Sequence, residues 1–320
     1  MVFSYTLGVI LAAMLLDAVI GDPPALWCKV PHPVVVFGRL ISFLDGALNQ
    51  DGMRRAKGIL ALVVLVLSAG LIGGAVSSFL MPYSWGWVVE ACVMSVFIAQ
   101  KGLLDHVRAV AEPLSQGDLA SARAALALIV GRDVTVLDDA GVARAGIETL
   151  AENASDGAIA PIFWGALFGL PGIMIYKAVN TADSMIGHRD ARYAEFGWAS
   201  ARLDDLLNLI PARLTGLLIA VAACFVTGAS CGRALRVMRR DARKHASPNA
   251  GFPESAAAGA LDLRLGGPRM YDGARDDAPW MGDGRENATA SDMDRAVRLI
   301  VATFVLTGLV IMTIWLLLPR

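Results

Sequence analysis

The sequence predicts an all-α, polytopic integral membrane protein: four to six hydrophobic segments with helical and loop-rich cytoplasmic portions between them. Three observations carry that prediction. Hydrophobic residues make up 56% of the 320-residue chain and charged residues only 18%, where a soluble domain is about 25% charged. Residues 58–80 and 299–318 contain no charged side chain, and each run reaches the roughly 20 residues that cross a bilayer. Basic residues gather in particular loops, as they do in membrane proteins of fixed orientation. The net charge is −1, so no basic field points to nucleic acid.

Residues 4–20 are apolar apart from Asp17. No basic residue starts the chain and no small-x-small site precedes Gly21, so this reads as a retained membrane helix and not a signal peptide. Asp17 inside it is a candidate functional charge. The turn GDPPALWCKVPHP sets Asp22 and His32 among prolines, where a lone histidine more often serves structure. Residues 58–80 form the next span, and 86–104 another, with Glu90 the one charge up to Gln100. Residues 105–157 read as a cytoplasmic helical segment. AEPLSQGDLASARAALALIVGRDV has an apolar stripe at 3–4 spacing, with Ser115 and Asp118 as caps.

Residues 158–179 include Pro161, Gly165, Gly169, Pro171 and Gly172, so a helix there is expected to be broken and sheltered by protein. Residues 214–230 are short for a span. With the polar stretch between them, 158–230 is expected to be a membrane-associated catalytic core. Residues 231–297 are expected to be loop-rich and cytoplasmic. There SDMDRAVRLI places Ser291 as the cap of the last span, 298–318, with Asp294 three residues on. Residues 1–320 are read as a single membrane-embedded domain. Cys28, Cys92, Cys224 and Cys231 make no CxxC pair and are expected to be small buried hydrophobes.

The loop after the first segment holds Lys29, Arg39, Arg54, Arg55 and Lys57. Residues 106–157 hold Arg108, Arg123, Arg132 and Arg144, and Arg233, Arg236, Arg239, Arg240, Arg243 and Lys244 follow later. Residues 81–85 hold no basic side chain, so all the other loops are placed in the cytoplasm. One conflict results. If 158–179 and 214–230 each cross once, 180–213 lies outside, yet it carries Arg189, Arg192, Arg202 and Arg213. Either the rule is overridden there, or both segments dip in and return.

That stretch, YKAVNTADSMIGHRDARYAEFGWASARLDDLLNLIPARLTG, has the richest chemistry. Asp183, Asp204 and Asp205, with Asn180 and Asn208 at helical spacing, are oxygen donors of the kind Mg²⁺ takes beside substrate phosphates. Lys177, His188, Arg189, Arg202 and Arg213 are side chains that hold phosphate. The competing reading is a salt-bridged loop at the membrane surface, which explains so many charges less well because exposed pairs stabilise by only about 0–1 kcal/mol. In GIETLAENASDGAIAPIFWG, Glu148 and Glu152 share a helix face and Asn153 and Asp156 follow. They form either a solvated helix end or a carboxylate group aimed at a metal or an amine. In RRDARKHASPNAGFPESAAAGAL, Arg243, Lys244 and His245 precede a tight turn at Ser247-Pro248-Asn249, and Glu254 follows. No GxxxxGK[ST], GxGxxG or HExxH pattern occurs.

Together GDPP, HPVVVFGRLI, ENASDGAIAPIFWG, YKAVNTADSMIGHR, FGWASARLDDLLNLIPARLTG and SPNAGFPESAAAGAL, in that order from Asp17 to about Tyr271, closely resemble the adenosylcobinamide-phosphate synthase family, the CbiB/CobD-type membrane proteins of cobalamin biosynthesis. The resemblance implies ATP- and Mg²⁺-dependent joining of adenosylcobyric acid, a corrinoid, to an amino-alcohol phosphate, either aminopropanol phosphate or threonine phosphate. It implies a multi-pass protein of a bacterial-type inner membrane, in contact with lipid, its site facing the cytoplasm. A homo-oligomer or association with other membrane enzymes of the pathway stays open. On the matching motifs, Asp183, Asp204 and Asp205 are expected to hold Mg²⁺. Asn180, Arg202, Arg213, Arg243 and Asn249 are expected to bind ATP and the amino-alcohol phosphate. Glu152, Asp156, Lys177, His188, Arg189 and His245 are the expected catalytic set, Glu152 as proton acceptor with His188 and His245 as alternatives. Prenyl and CDP-alcohol transferases also use aspartate-rich helices, but Pro161 stands where the latter pattern needs arginine and no second aspartate-rich repeat occurs. A membrane sensor or transporter sharing the scaffold is the other alternative. A transporter more often sets its charges within the spans, whereas most of these lie in loops.

Overall fold

The computed structural model describes residues 2–50, 52–131, 133–271, 274–276 and 278–318. Arg132, one of the loop arginines above, lies outside them. In chain order the elements are α1 (Val2–Val19), α2 (Pro24–Trp27), α3 (Pro33–Leu48), α4 (Arg54–Leu80), α5 (Gly86–Ser95), α6 (Gln100–Ser115), α7 (Leu119–Leu126) and α8 (Asp139–Asn153). A π turn (Ala154–Ile159) leads into α9 (Ala160–Ile186), followed by α10 (Trp198–Ala222), α11 (Cys231–Asp241), a 3-10 turn (Ala242–Lys244) and α12 (Gly251–Leu261). Then come β1 (Leu265–Gly266), β2 (Arg269–Tyr271), β3 (Ala274–Asp276), β4 (Trp280–Met281) and α13 (Ala290–Leu317). The fold is all-α, with β1–β4 and β2–β3 as two small antiparallel pairs.

Five stretches among the described residues are long and apolar enough to cross a membrane: Arg54–Leu80, Gly86–Ser115, Asp139–Ile186, Trp198–Ala222 and Ala290–Leu317. α1 is equally apolar but shorter. The outward faces of these helices are greasy: Leu60, Leu67, Leu71 and Phe79 on α4 and Val305, Leu309, Leu316 and Leu317 on α13 are exposed. Such continuous apolar surface suits lipid and not water. The protein is therefore a multi-pass membrane protein.

The chain forms two compact units, one of Met1–Lys101, Ala160–Asn208 and Ile311–Arg320, the other of Gly102–Ile159 and Leu209–Val310. In the first, α9 packs against α4 and α1, and α1 against α5. α4 comes so close to α9 that a Cβ on Gly73 would press on the Pro171 backbone. α9 is broken as its prolines and glycines lead one to expect: Gly169 has φ 66° and ψ −152°, which only glycine adopts without strain. Buried charges here have partners. Glu90 accepts hydrogen bonds from Tyr5 Oη (2.8 Å) and Ser77 Oγ (2.5 Å). Asp17 Oδ2 accepts from the Gln100 backbone N–H (2.8 Å) and Gln100 Nε2 (3.2 Å). From another helix it does what an N-cap does for α6. His32 caps α3 by accepting from Val34 N–H (3.2 Å), and its Nε2 faces Asp22 at 3.4 Å.

In the second unit α8 is buried along nearly its whole length and packs against α7, α12 and β1. α11 and α12 lie side by side at close range, where a Cβ on Gly259 would meet the Arg233 backbone. The segment expected to be mostly loop thus holds two helices. SAAAGAL in α12 is fully buried, and its alanines favour helix without the periodicity that marks an amphipathic one. Asp118 caps α7 (Ser121 N–H, 3.0 Å), but Ser115 ends α6 and bonds back to the Glu112 carbonyl. The cap of α13 is Thr289 and not Ser291. Asp292 accepts from Thr289 N–H (3.0 Å) and Thr289 Oγ1 from Asp292 N–H (3.4 Å), a reciprocal capping box two residues early. Residues 214–230 are not a separate segment, because α10 runs from Trp198 through them to Ala222. Cys28, Cys92 and Cys224 are exposed and Cys231 half-buried, all free. Cys92 lies on the membrane-length stretch Gly86–Ser115, where a small apolar side chain facing lipid gains nothing from turning inward.

Asp17→Ala should remove the cap of α6 and lower stability by about 1 kcal/mol, whereas Asp17→Asn, which also accepts, should stay near wild type. Thermal unfolding of the purified protein in detergent measures both. Equal losses would show that the charge and not the cap matters.

Candidate functional site

α9 and α10 form an antiparallel hairpin within the first unit. Tyr176 Oη donates to Asn208 Oδ1 (2.9 Å), and Asn180 Nδ2 reaches Asp204 Oδ1 (3.4 Å). Each pair is one helical turn from the other on both helices, so the rungs stack. Asn208 Nδ2 also donates to Asp204 Oδ2 (3.0 Å), which closes a network in which Tyr176, Asn208 and Asp204 are buried and Asn180 is half-buried. Asn208 is thereby fixed in orientation, with its oxygen to tyrosine and its amide to the carboxylate. Within one turn of Asn208, Pro211 offers no N–H to the Leu207 carbonyl. The indole Nε1 of Trp164 takes that carbonyl at 3.1 Å. Trp164 also stacks on Phe168 (centroids 5.8 Å apart), and with Ile175, Tyr176 and Leu207 they line an apolar cavity of about 460 Å³.

Toward the connecting turn the hairpin becomes charged. Asp183 on α9 lies within electrostatic reach of Asp205 and His188, and Asp204 within reach of Asp183 and Asp205. Arg202 approaches Asp205 at 3.9 Å, and Arg189 also acts on that carboxylate. Lys177 is half-buried one turn below Asn180. Gly187 N–H donates to the Asp183 carbonyl (2.7 Å), and a Cβ at Gly187 would collide with the Asp183 carboxylate. The glycine in IGHR is required by that approach. The structure so gathers Asn180, Asp183, His188, Arg189, Arg202, Asp204 and Asp205. Among the described residues no three His, Cys, Asp or Glu side chains form a ready metal cage. Mg²⁺ does not need one, since it keeps waters and binds through one or two carboxylates plus substrate phosphate.

The second unit holds the remaining candidates. Arg213 Nη1 donates to Asn249 Oδ1 (3.2 Å) and to the Leu209 carbonyl (2.7 Å), and its guanidinium lies 4.2 Å from the Phe252 ring. Arg243 is near enough to repel it. His245 Nδ1 accepts from Ser247 N–H (3.0 Å), and its Nε2 faces buried Glu254 at 3.6 Å. Ser247 Oγ accepts from Asn249 and Ala250 N–H groups (3.2 Å each), which builds the turn that the Ser-Pro-Asn spelling specifies. Glu152 and Asp156 are half-buried at the end of α8 and in the π turn. Glu148 is different: it is buried and accepts from Gly266 N–H (2.7 Å), so it anchors β1 and leaves Glu152 the accessible carboxylate of that face. Phe252 and Tyr176 were missed by sequence reasoning. Tyr176 had a legible signal, four residues before Asn180 on the same helix face. Phe196, just before α10, is fully buried. Trp198 instead carries the Arg55 guanidinium at 3.7 Å.

The segment bearing Arg243 and His245 is braced by Asp241. Its carboxylate takes Arg240 Nε (2.8 Å) and Nη2 (2.7 Å), Lys244 Nζ (2.7 Å) and Gly282 N–H (2.8 Å).

The fold and the site define a multi-pass α-helical membrane protein with an acid-and-cation cluster on a helical hairpin. A family model described as "CobD/Cbib protein" matches residues 10–300. The chain is 49% identical over 317 residues to a Sinorhizobium sp protein named cobalamin biosynthesis protein CobD, covering 96% of this chain and 98% of that one. The Rhodobacter capsulatus protein of that name is 48% identical over 295 residues, covering 91% and 92%. That of Brucella suis biovar 1 is 48% identical over 309 residues, covering 93% and 94%. No solved structure matches. This chain belongs to the CobD/Cbib family.

Burial alone would push the Asp241 carboxyl up; the bonds from Arg240, Lys244 and Gly282 outweigh it and hold the group well below the ordinary carboxylate range. A carboxyl depressed on folding stabilises above its unfolded value of about 3.9, and the gain drains away as pH falls below that. Asp241→Asn should therefore lower the melting temperature at pH 7 and flatten its decline between pH 5 and 3. Melting curves across that range decide. A parallel downward shift at every pH would mean the brace is not ionic.

Proposed function

We propose that this chain is an ATP-dependent amide ligase that joins adenosylcobyric acid to aminopropanol phosphate or threonine phosphate. The observation that carries the reading is the cluster of Asp183, Asp204 and Asp205 with Arg189, Arg202 and His188 at the turn end of the α9–α10 hairpin. Family membership and the names of the relatives support the cobalamin context. Both signs of charge in one place suit a metal–phosphate ligand, and the oxygen-only donor set fits Mg²⁺.

In this reading the corrinoid carboxylate attacks the γ-phosphorus of ATP, a P–O bond breaks, and ADP leaves. The resulting acyl phosphate is attacked by the amino-alcohol amine. The C–N bond forms, the C–O bond to phosphate breaks, and inorganic phosphate departs. Mg²⁺, if held there, would supply positive charge to offset the negative charge developing on the phosphate groups. Asp183, Asp204 and Asp205 would hold it. Asn208 and Asn180 keep the Asp204 oxygens aimed. Lys177, Arg189 and Arg202 would neutralise phosphate oxygens, with Asn180 positioned among them. In the second unit Arg213, Arg243 and Asn249 are the phosphate-binding set of the proposal. The amine must lose its proton before attack. Glu152 is assigned that proton, with His188 and His245 as alternatives and Asp156 beside Glu152 in the chain.

ATP and corrinoid intermediates are cytoplasmic, so the 187–197 turn is assigned to the cytoplasmic face of a bacterial-type inner membrane. A cysteine at exposed Ala191, on a background without the native cysteines, should resist an impermeant maleimide in intact cells and react in inverted vesicles. Labelling in intact cells would refute the orientation.

Purified protein in detergent, given adenosylcobyric acid, aminopropanol phosphate, Mg²⁺ and ATP, should release ADP in step with a corrinoid of amide mass. Asp183→Ala should lower the rate by at least about 100-fold while the protein elutes and melts as wild type. A near-normal rate would sink the metal assignment. No product from wild type with either amine would sink the ligase reading.

A further inference from the structure

The turn between α9 and α10 carries His188 and Arg189, yet little regular structure of its own holds it. Its shape is set from outside. Asp45, near the end of α3, is buried, its side chain only 8% exposed, and accepts from Arg192 Nη2 at 2.6 Å. The same carboxylate takes Asn49 Nδ2 (2.7 Å) and Tyr193 Oη (3.3 Å). Asn49 Oδ1 in turn receives Arg54 Nε (2.9 Å) from the first turn of α4. Arg54 also donates to the carbonyls of Ala191 (3.3 Å) and Arg192, and Asn49 Nδ2 reaches the Arg192 carbonyl at 3.3 Å. Farther along, α4 has glycine at 58, where any Cβ would strike the Phe196 carbonyl, and Arg55 lies over Trp198.

We propose that the corner between α3 and α4 is a clamp on this turn, and that Asp45 is a positioning residue for His188 and Arg189. Four residues of the corner make the clamp: Asp45, Asn49, Arg54 and Arg55. The turn is fixed at its start by the Gly187 bond to Asp183 and from Ala191 onward by the corner, so 188 and 189 lie between two fixed points. A buried carboxylate is a poor way to gain stability alone, because its desolvation offsets the attraction of its partners. Directional bonds to one side chain, one phenol and one amide do fix geometry. The positioning role rests on the ligase reading; the clamp itself does not.

Two measurements on the full chain in detergent test this. Tryptic cleavage after Arg189 and Arg192, located by mass, should be about tenfold faster in Asp45→Ala than in wild type and should be largely restored to slow in Asp45→Glu. In the ligase assay, Asp45→Asn should raise KM for aminopropanol phosphate about tenfold while kcat stays within about twofold, the pattern of lost substrate binding. Unchanged cleavage would overturn the clamp. A loosened turn with unchanged KM would overturn the positioning role, as would equal losses in kcat and KM that follow only the fraction of folded protein. If wild type forms no product, the positioning role falls with the ligase reading, and trypsin alone then decides the clamp.

Discussion

One constraint organises this molecule: a polar group removed from water must find a partner or cost several kcal/mol. In a chain so apolar, almost every charge off the surface is explained by the bond it makes. Glu90 on a membrane-length helix is tolerable because Tyr5 and Ser77 come to it. Asp17 is tolerable because the start of α6 needs an acceptor and no residue of its own supplies one. Asp292 sits between Arg285 and Arg295 while capping α13. The same rule applies to backbone. Pro211 strands a carbonyl in α10, and an indole from α9 takes it, so a helix defect becomes the contact that sets how the two helices meet.

That contact has consequences along the hairpin. Trp164 bound to Leu207 holds the part of α9 before the Gly169 break against α10. Beyond the break Tyr176 meets Asn208 and Asn180 meets Asp204, and these pairs set the register. A slip of one residue would turn each polar partner some 100° away on its helix and take these bonds from the buried Tyr176, Asp204 and Asn208. Asp204 is presented with both oxygens held, while Asp183 and Asp205 stay partly open toward the turn.

Much of this was legible in the sequence because it is spelled locally. Long uncharged runs read as spans, the Pro- and Gly-rich stretch at 158–179 read as a broken helix, and Ser247-Pro248-Asn249 read as a turn. The oxygen-rich stretch from Asn180 to Asn208 read as one site, since helical spacing alone puts its members on two facing stripes. What stayed hidden depends on partners far away in the chain. Asp17 looked functional because nothing nearby shows Gln100 waiting for it. Glu148 and Glu152 looked equivalent because their spacing does not reveal that Gly266 claims only the first. α12 reads as loop because a run of alanine buried on all sides has no face to betray it. The cap of α13 reads two residues late because Ser291 and Asp294 imitate the box that Thr289 and Asp292 make.

The gradient along α9 ties these strands together. From Trp164 and Phe168, which line an apolar cavity, the helix passes Tyr176, whose ring faces that cavity and whose hydroxyl opens the polar network. Tyr176 to Asp183 is seven residues, about 10 Å of helix rise. Over that distance the surroundings change from hydrocarbon to carboxylates and guanidinium groups. Such a change is expensive if spread over loops, whose backbone would itself need partners. It is cheap on a helix, where the backbone is already satisfied and only side chains must adjust. The hairpin so carries an apolar stretch and an ionic cluster on one scaffold whose backbone is already satisfied.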